Sequence, residues 1–170
     1  MIQLSTDSIN LRSPYKVEQA EENVFLFTTK YGVTYSVGFM PDYLFMEEGL
    51  YQFFITNVSG KTMRADKNVF ETVRVIVEDF FSQGQPVMLY ICDTMDKRQA
   101  TRDRLFRIWF NTYMMNADYT MFNDQVTLDK VHYYASIILR KDHPLHSQVI
   151  NSFHDFILKL PSKYERDVMN

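Results

Sequence analysis

The densest chemistry in the chain lies in eleven residues, Cys92 to Arg102, reading CDTMDKRQATR. A cysteine attacks or ligates as the thiolate, and nearby cations or a helix start favour that form. Arginine presents a planar fork of donors that can hold a carboxylate or phosphate through two bonds at once. Asp93 and Asp96 can neutralise such arginines, or sit at a helix start where carboxylates meet the positive end of the dipole. These residue types point to an anion held by Arg98 and Arg102 beside Asp93 and Cys92. They complete no catalytic set, so no residue is assigned a catalytic role and no cofactor is named.

Such a group needs a rigid frame, and the flanking sequence supplies one. Val87 to Cys92 is a short apolar run entered through Gly84 and Pro86, which reads as a strand buried on both faces. Asp93 is the expected N-cap of a helix running to about Met114. At about 100° per residue, Leu105, Phe106, Trp109 and Tyr113 form its core stripe. Projected back, that stripe carries Arg98 and Arg102, while Asp103, Arg104 and Arg107 point elsewhere. Two arginines on a core-facing stripe either snorkel and pair with acids such as Asp93, or line an anion pocket at the strand end.

The rest of the chain reads as the scaffold. Residues 1–23 form a polar lead-in, with a helical turn expected at Ser13 and Pro14. VFLFTTK and VTYSVGF flank Tyr31-Gly32 as a hairpin whose second arm ends at Pro41, and Tyr51 to Val58 adds a third strand. Asp66 or Asn68 opens a helix that Gly84 stops. Its stripe is Val69, Val73, Ile76 and Phe80, widened by Phe70, Val77 and Phe81. Tyr119 to Val126 and Val131 to Arg140 read as an antiparallel pair. Asp142 or His143 then caps a last helix, with Leu145, Val149, Phe153, Phe156 and Leu160 inward and Pro161 as its end. The expected fold is α+β: a mixed, largely antiparallel sheet of about six strands with three helices, in the order βββ-α-β-α-ββ-α. A single domain is expected over 1–170, its core at 24–160 and a frayed tail at 161–170.

Composition narrows the function classes. With 170 residues and 46% hydrophobic content, the chain can bury a core, to which 11 tyrosines and 14 phenylalanines contribute. A formal net charge of −3 gives no bulk attraction for nucleic acid, and Asp93, Asp96 and Asp103 interrupt the basic cluster Lys97, Arg98, Arg102, Arg104 and Arg107. One cysteine forms no disulfide framework and fits a reducing cytoplasm. The N-terminus MIQLSTDSIN lacks a secretory pattern, and no apolar run approaches the length that spans a bilayer. The four histidines, His132, His143, His146 and His154, make no spaced metal set. The expected partner is an anionic small molecule or another protein, the latter through surplus tyrosines or Met114 and Met115. Oligomeric state is not read from the sequence.

Three resemblances follow from these residues. Cys92 and Arg98 stand at C-x5-R spacing, which resembles the phosphate loop of cysteine-dependent phosphatases and implies a Cys92 thiolate nucleophile with Arg98 cradling phosphate. The loop DTMDK has no glycine, its aspartates repel phosphate, and Gln99 stands where such loops carry Ser or Thr. From the first hairpin onward, the element order resembles that of GNAT-type acetyltransferases. Ala100, Leu105 and Phe106 sit roughly where that family's penultimate helix carries its Ala and Leu-Tyr positions. That resemblance implies a GNAT-like fold and acyl-CoA gripped by a Gln/Arg-x-x-Gly-x-Gly/Ala loop. SGKTMRADKN has Gly60 and Arg64 but no paired glycines, and Phe106 replaces the tyrosine often used as general acid. Finally, FLFTTKYGVTYSVGF, YICDTMDKRQATRDRLFRIWF and YYASIIL resemble an uncharacterised domain-of-unknown-function family of Bacteroidota, over about Tyr15 to Tyr164. It implies a bacterial origin and transfers no activity.

The sequence thus describes a soluble cytoplasmic ligand- or protein-binding domain with an anion site at Cys92, Asp93, Arg98 and Arg102. A divergent acyltransferase without the usual pyrophosphate loop is the alternative, and a C-x5-R phosphatase the more distant one.

Overall fold

Alternating and periodic apolar residues produce seven mostly antiparallel strands and four helices, an α+β fold, in this computed structural model. The structure describes residues 2–92, 94–114 and 118–168, with side chains as far as Lys159. The order is α1 (Thr6–Asn10), β1 (Val17–Glu21), β2 (Val24–Thr28), β3 (Thr34–Asp42), β4 (Leu50–Asn57), α2 (Lys67–Ser82), β5 (Val87–Ile91), α3 (Gln99–Trp109), β6 (Tyr119–Leu128), β7 (Val131–Arg140) and α4 (His146–Val168). A π-helical turn, Phe110–Met114, prolongs α3. The expected order holds from β2 onward, and α1 and β1 are added in front of it. Contacts divide the chain into two compact units, Met1–Met40 with Tyr51–Pro86, and Pro41–Leu50 with Val87–Asn170.

In the first unit the strands lie in the order β1-β2-β3-β4. The β2–β3 hairpin closes at Thr28↔Thr34, with Thr29 N–H donating to the Val33 carbonyl at 2.9 Å and Gly32 at φ 74. A left-handed glycine at that point lets the two strands turn with their native twist. The lead-in is ordered structure: Ser5 caps α1, and the buried carboxylate of Asp79 on α2 accepts from Ser8 Oγ at 2.9 Å and from Ser5 N–H at 3.3 Å. The helical turn is therefore at Thr6–Asn10 and not at Ser13-Pro14. On α2 the expected stripe is buried except Phe70, which is 37% exposed, and Thr72 and Asp79 are buried on the other flank of the stripe.

In the second unit the order is β5-β7-β6. β5 pairs with β7 from Met88↔Ile138 to Ile91↔Ala135, and Cys92 N–H extends that ladder to the Tyr134 carbonyl. Val87 and Leu89 pack with Ile137, Leu139, Val149, Phe153, Phe156 and Ile157 in one core, which anchors α4. The buried His143 starts α4, its Nδ1 accepting from Leu145 N–H at 3.1 Å. Leu145 is 49% exposed and not inward, since it precedes the first regular turn. α4 passes Pro161 and continues to Val168. A proline removes one ladder bond without forbidding the turns on either side.

Candidate functional site

β5 ends by sending alternate side chains to opposite faces, so Val87 and Leu89 join the α4 core while Tyr90 and Cys92 face the other way. On that second face the Tyr90 ring lies 4.2 Å from Phe106, and Phe106 stacks on Trp109 at 5.5 Å between centroids. This aromatic column holds α3 against the strand. It also fixes the helical phase: Asp103, Phe106 and Trp109 are the buried residues of α3. Asp103, expected to point elsewhere, is 4% exposed, whereas Leu105, expected in the stripe, is 49% exposed. The buried carboxylate of Asp103 is satisfied from the surface by Arg107 Nε at 3.0 Å.

Burial pushes the Cys92 thiol up to about 12, and the neighbouring Asp103 charge adds to the rise, against smaller opposing effects of the Tyr90 hydroxyl and Arg102. Tyr90 is likewise raised, first by burial and then by Cys92. Burial and the Asp103 charge thus favour the protonated thiol and weigh against the thiolate nucleophile that the C-x5-R resemblance requires.

The helix begins later than its sequence suggested. Asp93 lies outside the described residues. α3 opens at Gln99 with Arg98 in the cap position and no side-chain cap. The carboxylate of Asp96 accepts from Arg98 N–H at 3.1 Å. It also receives Arg102 in a two-bond fork, Nη1 to Oδ1 at 2.7 Å and Nη2 to Oδ2 at 2.6 Å. Those hydrogen bonds hold the Asp96 carboxyl down at about 2. Arg102 therefore has an acid of its own chain. Arg98 is exposed, and among the described residues neither it nor Lys97 or Arg104 forms an ion pair. The backbone N–H groups of Gln99, Ala100 and Thr101 likewise meet no protein acceptor among the described residues.

The structure brings Cys92 and Arg102 to one corner and leaves Arg98 at its rim. The bond from Arg98 N–H that turns Asp96 toward Arg102 was the element missed; an aspartate two residues before the cap position Arg98 was its signal. Met114, expected as a protein contact, is buried, and Met115 lies outside the described residues. Among the described residues no three His, Cys, Asp or Glu side chains gather as a metal would require.

More than half of the chain, residues 65–155, matches the Family of unknown function (DUF6169). The chain belongs to that family. The DUF6169 match contains α2 and its start, β5, α3, β6, β7 and the first turns of α4, and with them every residue of the candidate site. No curated protein and no solved structure matches the chain. No described helix is long and apolar enough to cross a membrane.

Proposed function

We propose that this DUF6169 protein is a binding domain for a small anionic ligand, taken at the start of α3 by Arg98 and the amides of Gln99, Ala100 and Thr101. The observation that carries this reading is the open helix start. Amides there carry partial positive charge and remain unsatisfied unless a side chain, water or anion meets them. Arg102, paired to Asp96, holds the turn that presents Arg98. The single buried thiol supports a cytoplasmic setting, and the Bacteroidota resemblance supports a bacterial one.

Thermal unfolding with added inorganic phosphate, ATP and acetyl-CoA tests the reading, since a ligand of the folded state raises the melting temperature by mass action. At least one should stabilise the wild type, and Arg98→Ala should abolish the shift while leaving the apo melt nearly unchanged. No shift with any of the three, or an equal shift in Arg98→Ala, overturns it.

The order of β2 through β7 supports a second reading, an acyltransferase-like domain of GNAT type. Two observations weigh against acyl-CoA use. The Asp66 carboxylate occupies the start of α2, accepting from Asn68 N–H at 3.0 Å, where a pyrophosphate would need free amides. Phe106, a stacking ring, stands where the general acid would be. A melting shift specific to acetyl-CoA and retained in Arg98→Ala would favour this second reading.

A further inference from the structure

Two end strands, β1 in the first unit and β6 in the second, are built differently. β1 has five residues, a register break between Gln19 and Glu21, and exposed Glu18 and Glu21. Short length, a bulge and charge are the usual means of keeping a strand edge from pairing with another chain. β6 has neither the short length nor the bulge, and Asp124 is its one charged residue. It runs for ten residues and pairs with β7 without a break from Tyr119↔Arg140 to Leu128↔Val131. It contains no proline, lysine or arginine, and its other side meets no strand among the described residues.

The register shows which groups of β6 face outward. Leu128 and Val131 close on a two-residue turn, Asp129-Lys130, both with positive φ of 47 and 66. Such a turn makes the flanking residues a hydrogen-bonded pair. At the other end Lys141 N–H donates to the Asp118 carbonyl at 2.8 Å. Backbone direction alternates along a strand, so the even-numbered residues bond β7, and Met121, Asn123, Gln125 and Thr127 turn N–H and C=O outward.

We infer that this edge pairs antiparallel with β6 of a second copy of the chain, in the register that sets Asn123 against Asn123. Hydrogen-bonded pairs require outward residues opposite one another, which limits symmetric registers to those that match odd residues with odd. Centring on Asn123 or on Asp124 keeps the longest overlap, and the Asn123 register sets Met121 opposite Gln125. It also sets Thr120 opposite Val126 and Phe122 opposite Asp124. The only carboxylate of the strand thereby avoids its own copy, whereas a register centred one residue later would oppose Asp124 to Asp124. A nearly uncharged edge suits a self-partner, because twofold pairing brings like groups together. Asp124 also sets a limit on the association. Its Oδ1 accepts from Gln125 N–H at 2.8 Å and its Oδ2 faces His154 Nδ1 at 2.8 Å, so one outward donor must be released before the strands zip.

Sedimentation velocity across a concentration series reads the state of the full chain. The wild type should shift from the mass of one chain to that of two. Asn123→Lys and Asn123→Asp should each remain monomeric, because each places like charges opposite at the centre, and an equimolar mixture of the two should recover the dimer. Gln125→Pro, which removes an outward donor and no bond to β7, should also be monomeric, with unchanged far-ultraviolet circular dichroism as the folding control. A wild type monomeric at the highest soluble concentration overturns the inference. So does a dimer that survives both charged variants, or variants whose mixture stays monomeric.

Discussion

Two helix starts in this molecule are alike in sequence, each with aspartate ahead of it, and opposite in structure. α2 is closed by its own chain: Asp66 accepts from Asn68 N–H, and the Tyr15 hydroxyl donates to the same carboxylate. α3 starts on Arg98 without a side-chain cap, and among the described residues its first amides meet no protein acceptor. The remainder of each helix compensates accordingly. α2 buries apolar residues from Val69 to Phe81, so its start has only to end cleanly. α3 buries Asp103, Phe106 and Trp109 alone and depends on the ring column for its position. A cap and an anion compete for the same amides, so a helix that binds a ligand at its start must draw its stability from its other end.

The largest expected effect tests that dependence. Phe106→Ala removes the ring between Tyr90 and Trp109 and should cost about 3–5 kcal/mol in urea unfolding, the range for burying and then deleting a phenyl group. A loss below about 1 kcal/mol would mean that α3 is held by something other than its rings. At α2, Asp66→Ala should cost about 0.5–2 kcal/mol, as loss of an aspartate cap does. Tyr15→Phe tests the same closure from the other side. Burial, and then its bond to Asp66, raises the Tyr15 hydroxyl above its usual value, so the proton stays on the donor.

How much of this was legible depended on whether a local pattern existed. β5 could be read because an unbroken apolar run signals a strand covered on both faces, and Tyr90 and Cys92 on one side with Val87 and Leu89 on the other bear that out. The α2 stripe was equally plain. α1 and β1 were hidden because their core residues, Ile2, Leu4, Ile9 and Val17, are spread through polar sequence with no period, and their anchor Asp79 is about 70 residues away. The start of α3 was displaced because two aspartates precede it and either can cap; Asp96 bonds the Arg98 amide instead of opening a helix. A shift in start leaves phase undetermined, so Asp103 and Leu105 exchanged places between surface and core. Of the two arginines expected inward, Arg102 reaches Asp96 and Arg98 stays exposed, a distinction of partners that helical projection cannot make.

Giving α3 a cap would erase the contrast between the two starts. Serine is a favoured N-cap, so Arg98→Ser should raise apo stability by about 0.5–1 kcal/mol while removing any phosphate-induced rise in melting temperature. Opposite signs in the two readouts are the expected signature. If Arg98→Ser lowers apo stability, the arginine itself supports the fold and the start is not open in the sense argued.

The smallest effect concerns the turn that presents Arg98. The Arg102 fork lowers the Asp96 carboxyl from 3.8 to about 2 on folding. A carboxyl lowered in this way favours the folded state while it is ionised in both states, above its unfolded value. That advantage fades as pH falls through the folded value, where both states become protonated. Asp96 is exposed, so solvent screening keeps the gain small. The melting temperature of the wild type should exceed that of Asp96→Asn by a constant amount above about pH 4, and the two should converge as pH approaches 2. In high salt the gap should narrow further, because an exposed pair is screened. A gap that persists at the acid end would show that Asp96 contributes something besides its charge and besides the hydrogen bond from Arg98 N–H, which asparagine can also accept.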